Sequence, residues 1–223
     1  MIFGKIDYIN LLPFHIYLKQ SSLTNALKKS CEYKKSYPSH INKQFRSRRV
    51  DGAFISSIES NRKSIKTLPL GIVAKKQVTS VLVKKGTLSS NDPHSASSNA
   101  LAKVLKINGE VYIGDKALKL YLESPQDYID LAHEWHNRYS LPFVFARLSI
   151  NKHFSIYKKI SDNFKNKRIR IPQYILKKYA HERQIPPQEI LKYLKLISYK
   201  IGEKERRGLN LFFKKEKLSR ENI

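Results

Sequence analysis

Short apolar runs alternate with amphipathic segments over residues 1–150, a pattern typical of strands joined by crossover helices. The apolar runs predict strands at residues 2–9, 33–39, 51–57, 68–74, 80–84, 111–113, 128–131 and 143–148. The amphipathic segments predict helices within 11–29 and over 40–49, 100–107 and 116–122, with one more around Trp135. After residue 151 only helical patterns follow, over 153–165, 172–183, 187–197 and 203–217. The sequence therefore predicts an α/β fold that ends in a helical C-terminal segment.

A break in this pattern at residues 75–77, Lys-Lys-Gln, indicates that the chain crosses there from one lobe to another. We expect residues 1–75 and 150–223 to form a first, discontinuous lobe that includes the C-terminal helices. Residues 76–149 are expected to form a second lobe that is inserted into the first. Residues 87–98 are rich in Ser, Asn, Asp and Pro, so we expect most of them to form a loop.

The chain carries 43 Lys and Arg against 18 Asp and Glu, a formal net charge of +25. Such an excess attracts phosphates, anionic lipids and small anionic ligands alike. The basic residues are spread over both halves of the chain without a long block of consecutive like charges, which favours ordinary solvated faces. Aromatic residues that adjoin basic ones fall in helical patterns rather than on a stacking platform. We therefore expect no specific nucleic-acid partner.

No run of apolar residues reaches the ~18 that a membrane-spanning helix needs, and the amino end lacks the layout of a signal peptide. We therefore expect a cytoplasmic protein without a membrane partner. Cys31 is the single cysteine, which excludes an internal disulfide. His133 and His136 do not have the spacing of a two-histidine zinc helix, and the sequence contains neither a Gly-rich phosphate loop nor a Gly-x-Ser-x-Gly turn. We expect no metal site, and the sequence does not indicate an oligomeric state.

Small polar residues follow three of the predicted strands. Asn10 follows the first strand, Ser56 and Ser57 end the third, and Gly114 and Asp115 follow the sixth. In open α/β sheets ligands bind beyond the carboxyl ends of the strands, so these residues converge on one cleft if the strands are parallel. Each of them taken alone also has a structural explanation, since a small polar residue in such a place often caps the next helix.

A predicted helix start adds to this set, because Ser97, Ser98 and Asn99 precede the helix expected over 100–107. Serine hydroxyls there can cap free backbone N–H groups, and the helix dipole contributes partial positive charge. Such a helix start can bind a carboxylate or a phosphate. The candidate ligand-binding residues are therefore Ser56, Ser57, Ser97, Ser98, Asn99 and Asp115.

Six segments then follow one another in a familiar order: 7–13 (DYINLLP), 49–59 (RVDGAFISSIE), 97–101 (SSNAL), 112–118 (YIGDKAL), 130–135 (DLAHEW) and 141–146 (LPFVFA). They resemble, in this order, the motifs of the chorismate dehydratase family of menaquinone biosynthesis. The closing segment 199–213 is similar as well, so the resemblance extends over nearly the whole chain. A single motif of this kind is weak, whereas six in the right order are specific.

The resemblance implies the two-lobed, type II fold of periplasmic solute-binding proteins, with an interlobe cleft and with catalysis in the cytoplasm without a cofactor. The implied reaction removes water from chorismate to give 3-[(1-carboxyvinyl)oxy]benzoate, the first step of the futalosine pathway of menaquinone biosynthesis. Chorismate is a small dianion, and its ring becomes aromatic once the proton on C3 and the hydroxyl on C4 depart. A cleft that holds carboxylates fits this substrate.

Asn10 matches the cleft asparagine of the family, and its amide cannot accept a proton at neutral pH. We therefore expect Asn10 to orient the substrate, whose own enolpyruvyl carboxylate abstracts the C3 proton. Two alternatives are a non-catalytic binding protein for a small anionic metabolite and the related dihydroxynaphthoate synthase. In the latter we expect Ser-Pro-Cys-Pro-Asn-Asp near the start, where this chain has Asp-Tyr-Ile before Asn10.

Overall fold

The structure, a computed structural model, describes residues 1–165 and 167–221, without the side chains of residues 27 and 31–33, so the side chain of Cys31 lies outside the described part. The strands of this part are β1 (Phe3–Lys5), β2 (Lys34–Lys35), β3 (Gly52–Ser56), β4 (Lys66–Ala74), β5 (Val81–Lys84), β6 (Glu110–Ile113), β7 (Tyr128–Asp130), β8 (Phe143–Ile150) and β9 (Ile197–Lys200). Its α-helices are α1 (Leu12–Gln20), α2 (Asn25–Tyr33), α3 (Pro38–Arg46), α4 (Ser57–Ser60), α5 (Ala96–Leu105), α6 (Gly114–Glu123), α7 (Leu131–Tyr139), α8 (Phe154–Phe164), α9 (Gln173–Arg183), α10 (Pro187–Leu196) and α11 (Glu203–Glu221).

The first lobe is built on a six-stranded mixed sheet with the strand order β2-β1-β3-β8-β4-β9. β1 runs parallel to both β2 and β3, whereas β8 is antiparallel to β3 and β4, and β9 is antiparallel to β4. All five residues of β3 are buried. Phe54 of β3 meets Phe14 of α1 edge to face, with ring centroids 5.0 Å apart. The sequence pattern of a buried central strand is thus explained by packing against a covering helix.

The second lobe is built on a three-stranded sheet in which β5 is central and antiparallel to both β6 and β7. Its strands and the helices α5 to α7 come from the part of the chain between β4 and β8. We expected this lobe to extend to residue 149. β8 instead pairs with β3 and β4 in the larger sheet, so the chain returns to the first lobe before Phe143.

The C-terminal segment is not helical throughout, as the sequence pattern suggested, because β9 forms an edge strand beside β4. The apolar residues of β9 continue the helical pattern of α10, and pairing with a strand distant in sequence decides their conformation. The strand expected at 33–39 is reduced to the two residues of β2. The helical stretch expected within 11–29 is split, since the Ser21 hydroxyl donates to the carbonyl of Leu18 at 2.6 Å just beyond the end of α1.

α5 begins inside the segment that was expected to be loop. The Ser95 hydroxyl oxygen accepts a hydrogen bond from the backbone N–H of Ser98 at 3.2 Å, the usual arrangement of a serine N-cap. Lys106 ends the helix in the left-handed conformation, with φ +54°. The amino end of α5 also contacts α4, because the Ser97 hydroxyl accepts a hydrogen bond from the backbone N–H of Ile58 at 3.2 Å. This bond holds the start of α5 against the first lobe.

Candidate active site

A cleft lies between the two sheets, where the carboxyl ends of β1 and β3 face the second lobe. Because β1 and β3 are parallel neighbours, Asn10 and Ser56 follow them at the same sheet edge, as predicted. β6 belongs to the other sheet and brings Gly114 to the cleft from the opposite side. The serine and asparagine side chains that line the cleft are those of Asn10, Ser56, Ser80, Ser95 and Ser98.

Ser56 is held by a buried asparagine of α3. The carboxamide oxygen of Asn42 accepts the backbone N–H of Ser56 at 3.2 Å, and its Nδ2 donates to the Ser56 hydroxyl oxygen at 3.3 Å. The same hydroxyl oxygen accepts the backbone N–H of Glu59 at 3.4 Å. Since the Ser56 oxygen acts as the acceptor in both contacts, its own hydrogen remains available to a ligand in the cleft.

Ser98 has a similar arrangement at the start of α5. The Ser95 hydroxyl donates to the Ser98 hydroxyl oxygen at 2.7 Å, so the hydrogen of Ser98 is also available to a ligand. The side chain of Ser98 is buried and lines the cleft. Two hydroxyl donors and the positive end of the α5 dipole therefore meet in one place, which suits a carboxylate.

Asn10 is fixed from behind by two tyrosines of the C-terminal segment. The Tyr199 hydroxyl donates to the backbone carbonyl of Asn10 at 2.6 Å. The Tyr193 hydroxyl lies 2.8 Å from the Ser80 hydroxyl and also interacts with the Asn10 side chain. Burial raises the pKa of both tyrosines, so both phenols stay protonated at neutral pH. The asparagine amide is thereby oriented by groups that carry no charge.

Asp115 joins the lobes and does not present a free carboxylate to the cleft. Its Oδ1 accepts the backbone N–H of Ile9 at 2.9 Å, and its Oδ2 accepts Nε of Arg183 at 2.6 Å. Burial raises the pKa of Asp115, against the opposing effect of the Ile9 and Arg183 hydrogen bonds. Because Ile9 immediately precedes Asn10, this contact holds the turn that carries Asn10.

Arg183 of α9 extends this network to Asp7, on the chain just beyond β1. Its Nη2 donates to the Asp7 backbone carbonyl at 2.8 Å and lies 3.2 Å from Asp7 Oδ2. Burial alone would raise the pKa of Asp7, but hydrogen bonds from Lys35 and Tyr179 hold it well below its ordinary value. The guanidinium also lies over the Tyr179 ring, 4.0 Å from its centroid. We call Asp7, Asp115 and Arg183 the interlobe latch.

Three other predicted residues have structural partners outside the cleft. The Ser57 hydroxyl donates to the carbonyl of Val144 at 2.6 Å, and Ser97 accepts from Ile58, as described above. The Asn99 side chain braces residue 92, accepting its backbone N–H at 2.9 Å and donating to its carbonyl at 2.7 Å. The structure therefore brings Asn10, Ser56 and Ser98 together, whereas Ser57, Ser97 and Asn99 support the walls.

The rest of the cleft is apolar apart from Tyr8 and His94. Phe54, Ile72 and Phe145 form part of its wall and can cover a ring while excluding water. Neither Lys nor Arg, and neither Asp nor Glu, lines the cleft within the described residues, so the net charge of +25 lies elsewhere.

The free space in the cleft is about 70 Å³, below the ~300 Å³ common in small-molecule sites. The cleft would therefore have to widen before it could hold a ligand of ordinary size.

The described residues contain no group of three His, Cys, Asp or Glu side chains that could hold an ion. Among them there is also no helix long and apolar enough to cross a membrane.

Several residues of the site were missed from the sequence. Asn42 carried a usable signal, since a polar residue stands between the buried Ile41 and Phe45 on one face of α3. His94 lies in a stretch expected to be loop, where nothing indicated that it meets the cleft. Arg183 of α9, Tyr193 of α10 and Tyr199 of β9 come from far along the chain, and only tertiary structure brings them to Asn10.

Comparison with known proteins shows the family and the fold of the chain. A family model described as menaquinone biosynthesis matches residues 1–107 and 96–217. The chain is 55% identical over 215 residues to a chorismate dehydratase of Campylobacter jejuni subsp. jejuni, with 96% of both chains covered. It is similar in structure to a protein from Archaeoglobus fulgidus, with a TM-score of 0.70, 11% identity, and 99% and 97% of the two chains covered. An ABC transporter structure from Parabacteroides distasonis gives a TM-score of 0.59 at 14% identity, with 98% and 92% covered. At these identities the structural likeness concerns the fold alone, and it confirms the expected two-lobed binding-protein fold.

Proposed function

The chain belongs to the menaquinone biosynthesis family, and from this premise we propose that it is a chorismate dehydratase. The reaction converts chorismate to 3-[(1-carboxyvinyl)oxy]benzoate and water, as the first step of the futalosine pathway. The observation that carries the proposal is the convergence of Asn10, Ser56 and Ser98 on one narrow, largely apolar cleft between the lobes. Such a cleft offers neutral hydrogen-bond donors to a small dianion and apolar walls to its ring.

The substrate carboxylates are bound by neutral donors in this proposal. Ser56 and Ser98 each have a free hydroxyl hydrogen, which can donate a hydrogen bond to a substrate carboxylate. The amino end of α5 adds its partial positive charge. A hydrogen bond to a charged group contributes about 1.5–3 kcal/mol. Because these donors are fixed by Asn42 and Ser95, little reorganisation is needed when the substrate binds.

The chemical step needs one base and a path for the departing hydroxyl. The C3 proton leaves, its electron pair forms the new ring double bond, and the C4 hydroxyl departs with the electron pair of its C–O bond. The described residues that line the cleft include no Asp or Glu, which supports the substrate's enolpyruvyl carboxylate as the proton acceptor. Asn10 would hold that carboxylate in line with the C3–H bond, and the tyrosines behind it would fix the amide.

A cofactor is not required by the chemistry we propose, because the elimination moves no net electrons between the substrate and a second molecule. The gain of an aromatic ring makes the product strongly favoured. Closure of the lobes would exclude water and bring the donors to the substrate together. Membership of a biosynthetic enzyme family supports a cytoplasmic location and a small-molecule substrate, with no role for nucleic acid.

The test is turnover of chorismate by the purified protein, dialysed against a chelator and without added cofactors. We expect the diene absorbance of chorismate to fall and mass spectrometry to identify 3-[(1-carboxyvinyl)oxy]benzoate. A variant of an exposed residue, such as His133→Gln, serves as the control for preparation and handling. Binding of chorismate without any product would favour the non-catalytic binding protein, and absence of both would overturn the proposal.

A further inference from the structure

His94 lies in the cleft but has no part in the proposed function so far. It stands in the loop that leads into α5, and its side chain lines the cleft together with Asn10, Ser56 and Ser98. Among the described residues that line the cleft, His94 is the one whose side chain can carry a positive charge.

The imidazole is held by contacts from two sides. Its Nδ1 lies 3.3 Å from the Ser39 hydroxyl, and its ring packs on Tyr37 with centroids 4.3 Å apart. The backbone N–H of His94 donates to Asp92 Oδ1 at 2.7 Å. Because the Ser39 contact occupies Nδ1, Nε2 is the ring nitrogen available to a ligand.

The loop itself is braced from α5. The Asn99 side chain makes two hydrogen bonds to the backbone of Asp92, at 2.9 and 2.7 Å. Asn99, which the sequence suggested as a substrate contact, thus holds the segment that positions His94. The ring is preorganised by its surroundings, as an acid or base in catalysis must be.

The elimination needs a proton donor, because hydroxide is a poor leaving group. Tyr8 is the other side chain of the cleft that could supply one from an acidic O–H. Burial, with the nearby carboxylates of Asp92 and Asp115, raises the pKa of Tyr8, so its phenol is a weaker acid than usual. The serine hydroxyls are weaker acids still. Imidazolium is the strongest proton donor that the described cleft offers.

We propose that His94 is the general acid that protonates the C4 hydroxyl as it leaves. This rests on the proposed function. The electron pair of the C3–H bond forms the ring double bond, the C4–O pair leaves with oxygen, and the Nε2 proton of the imidazolium completes a water molecule. The C3 proton, taken up by the enolpyruvyl carboxylate, returns to solvent or to the imidazole, so the protein ends in its starting state.

The groups that face this ring are few. Ser39 of α3 contacts the ring, Asp92 accepts the backbone N–H of His94, Tyr37 packs on the ring, and Tyr8 lines the same cleft. Lys116 acts on Asp92, and His40 packs on the far side of Tyr37 with centroids 5.9 Å apart. A general acid must be protonated to act, so kcat is expected to fall on the alkaline side of its pH profile.

The experiment compares His94→Gln and His94→Ala with the wild type and with the exposed control His133→Gln, by steady-state kinetics on chorismate over a range of pH. We expect kcat to fall by about 100-fold or more, the usual contribution of a general acid, while KM changes little. The alkaline fall of kcat should be absent from both His94 variants, and added imidazole should restore part of the activity of His94→Ala. Melting temperature checks that each variant is folded.

Three outcomes would overturn the inference. One is a His94→Gln enzyme with wild-type kcat. A second is a raised KM at unchanged kcat, which would make His94 a binding residue. The third is a wild-type kcat that does not fall at alkaline pH, a measurement that needs no variant. If the wild type gives no product at all, the proposed function fails instead, so the two failures are distinguishable.

Discussion

Arg183→Met removes the cation of the interlobe latch while keeping most of the length of the side chain. The guanidinium side chain is 13% exposed, and Asp115 and Asp7 are 15% and 17% exposed, so the network is largely buried. Removal of one partner from a buried ion pair costs about 3–5 kcal/mol, because the other charge is left uncompensated.

The contacts left after the substitution determine where in this range the variant lies. Asp7 keeps Lys35 at 2.7 Å and the Tyr179 hydroxyl at 2.6 Å, so it remains compensated. Asp115 keeps a single hydrogen bond, from the Ile9 backbone. We therefore expect a loss of stability at the lower end of this range, about 3 kcal/mol. For a chain of this size, ~2–4 °C per kcal/mol gives a fall in melting temperature of about 6–12 °C.

The assay is thermal and urea unfolding followed by circular dichroism, with Arg207→Met on the exposed face of α11 as the matched control. The control is expected to stay within about 0.5 kcal/mol of the wild type. The cost arises from the Asp115 charge that is left without its partner. The double variant Arg183→Met with Asp115→Asn should therefore lose about 1 kcal/mol or more less stability than the sum of the two single losses. An Arg183→Met protein within about 1 kcal/mol of the wild type, well below the range for a buried pair, would refute the reasoning, as would strictly additive losses.

Further predictions follow from the cleft and the latch. Asn10→Ala should lower kcat by more than it raises KM in steady-state kinetics on chorismate, and unaltered turnover would remove Asn10 from the mechanism. Ser56→Ala and Ser98→Ala should each raise KM about 10- to 100-fold, the loss of one hydrogen bond to a charged group; no change in KM would exclude that serine as a carboxylate contact. Gly114→Ala should destabilise the protein by about 1–3 kcal/mol in urea unfolding, because φ is +68° and a methyl group would lie 2.8 Å from a tyrosine ring; wild-type stability would contradict this. The pKa of Asp7 is lowered in the folded state, so its contribution to stability is present above the ordinary aspartate pKa of about 3.9 and is lost as the pH falls below it. The stability of Asp7→Asn should therefore fall less steeply than that of the wild type as the pH is lowered below about 4. An identical fall in stability for the two proteins would contradict this prediction.

The sequence was sufficient where a site residue follows directly from a local pattern. Ser56 ends a fully buried strand, Asn10 comes shortly after β1, and the serines in the first turn of α5 have the composition of a helix start. Parallel neighbouring strands necessarily bring the first two to one edge of the sheet. These three positions were therefore predicted together and lie together.

Long-range pairing explains what was not predicted. By its sequence pattern β8 could belong to either lobe, and its place between β3 and β4 is decided by partners 69 or more residues earlier in the chain. The sequence pattern around Asp115 predicts a helix cap, whereas its partner Arg183 lies 68 residues later in the chain. The local patterns of a sequence do not reveal which distant residues meet, so the latch and the tyrosines behind Asn10 required the structure.

The most direct test of the account is a crystal structure of the Asn10→Ala protein, slow to turn over, with chorismate bound. We predict one carboxylate of the ligand within hydrogen-bond distance of the Ser56 or Ser98 hydroxyl, the ring against Phe54 and Phe145, and the C4 hydroxyl facing His94 Nε2. Chorismate bound outside the interlobe cleft, or inside it with both carboxylates away from these serines, would contradict the account.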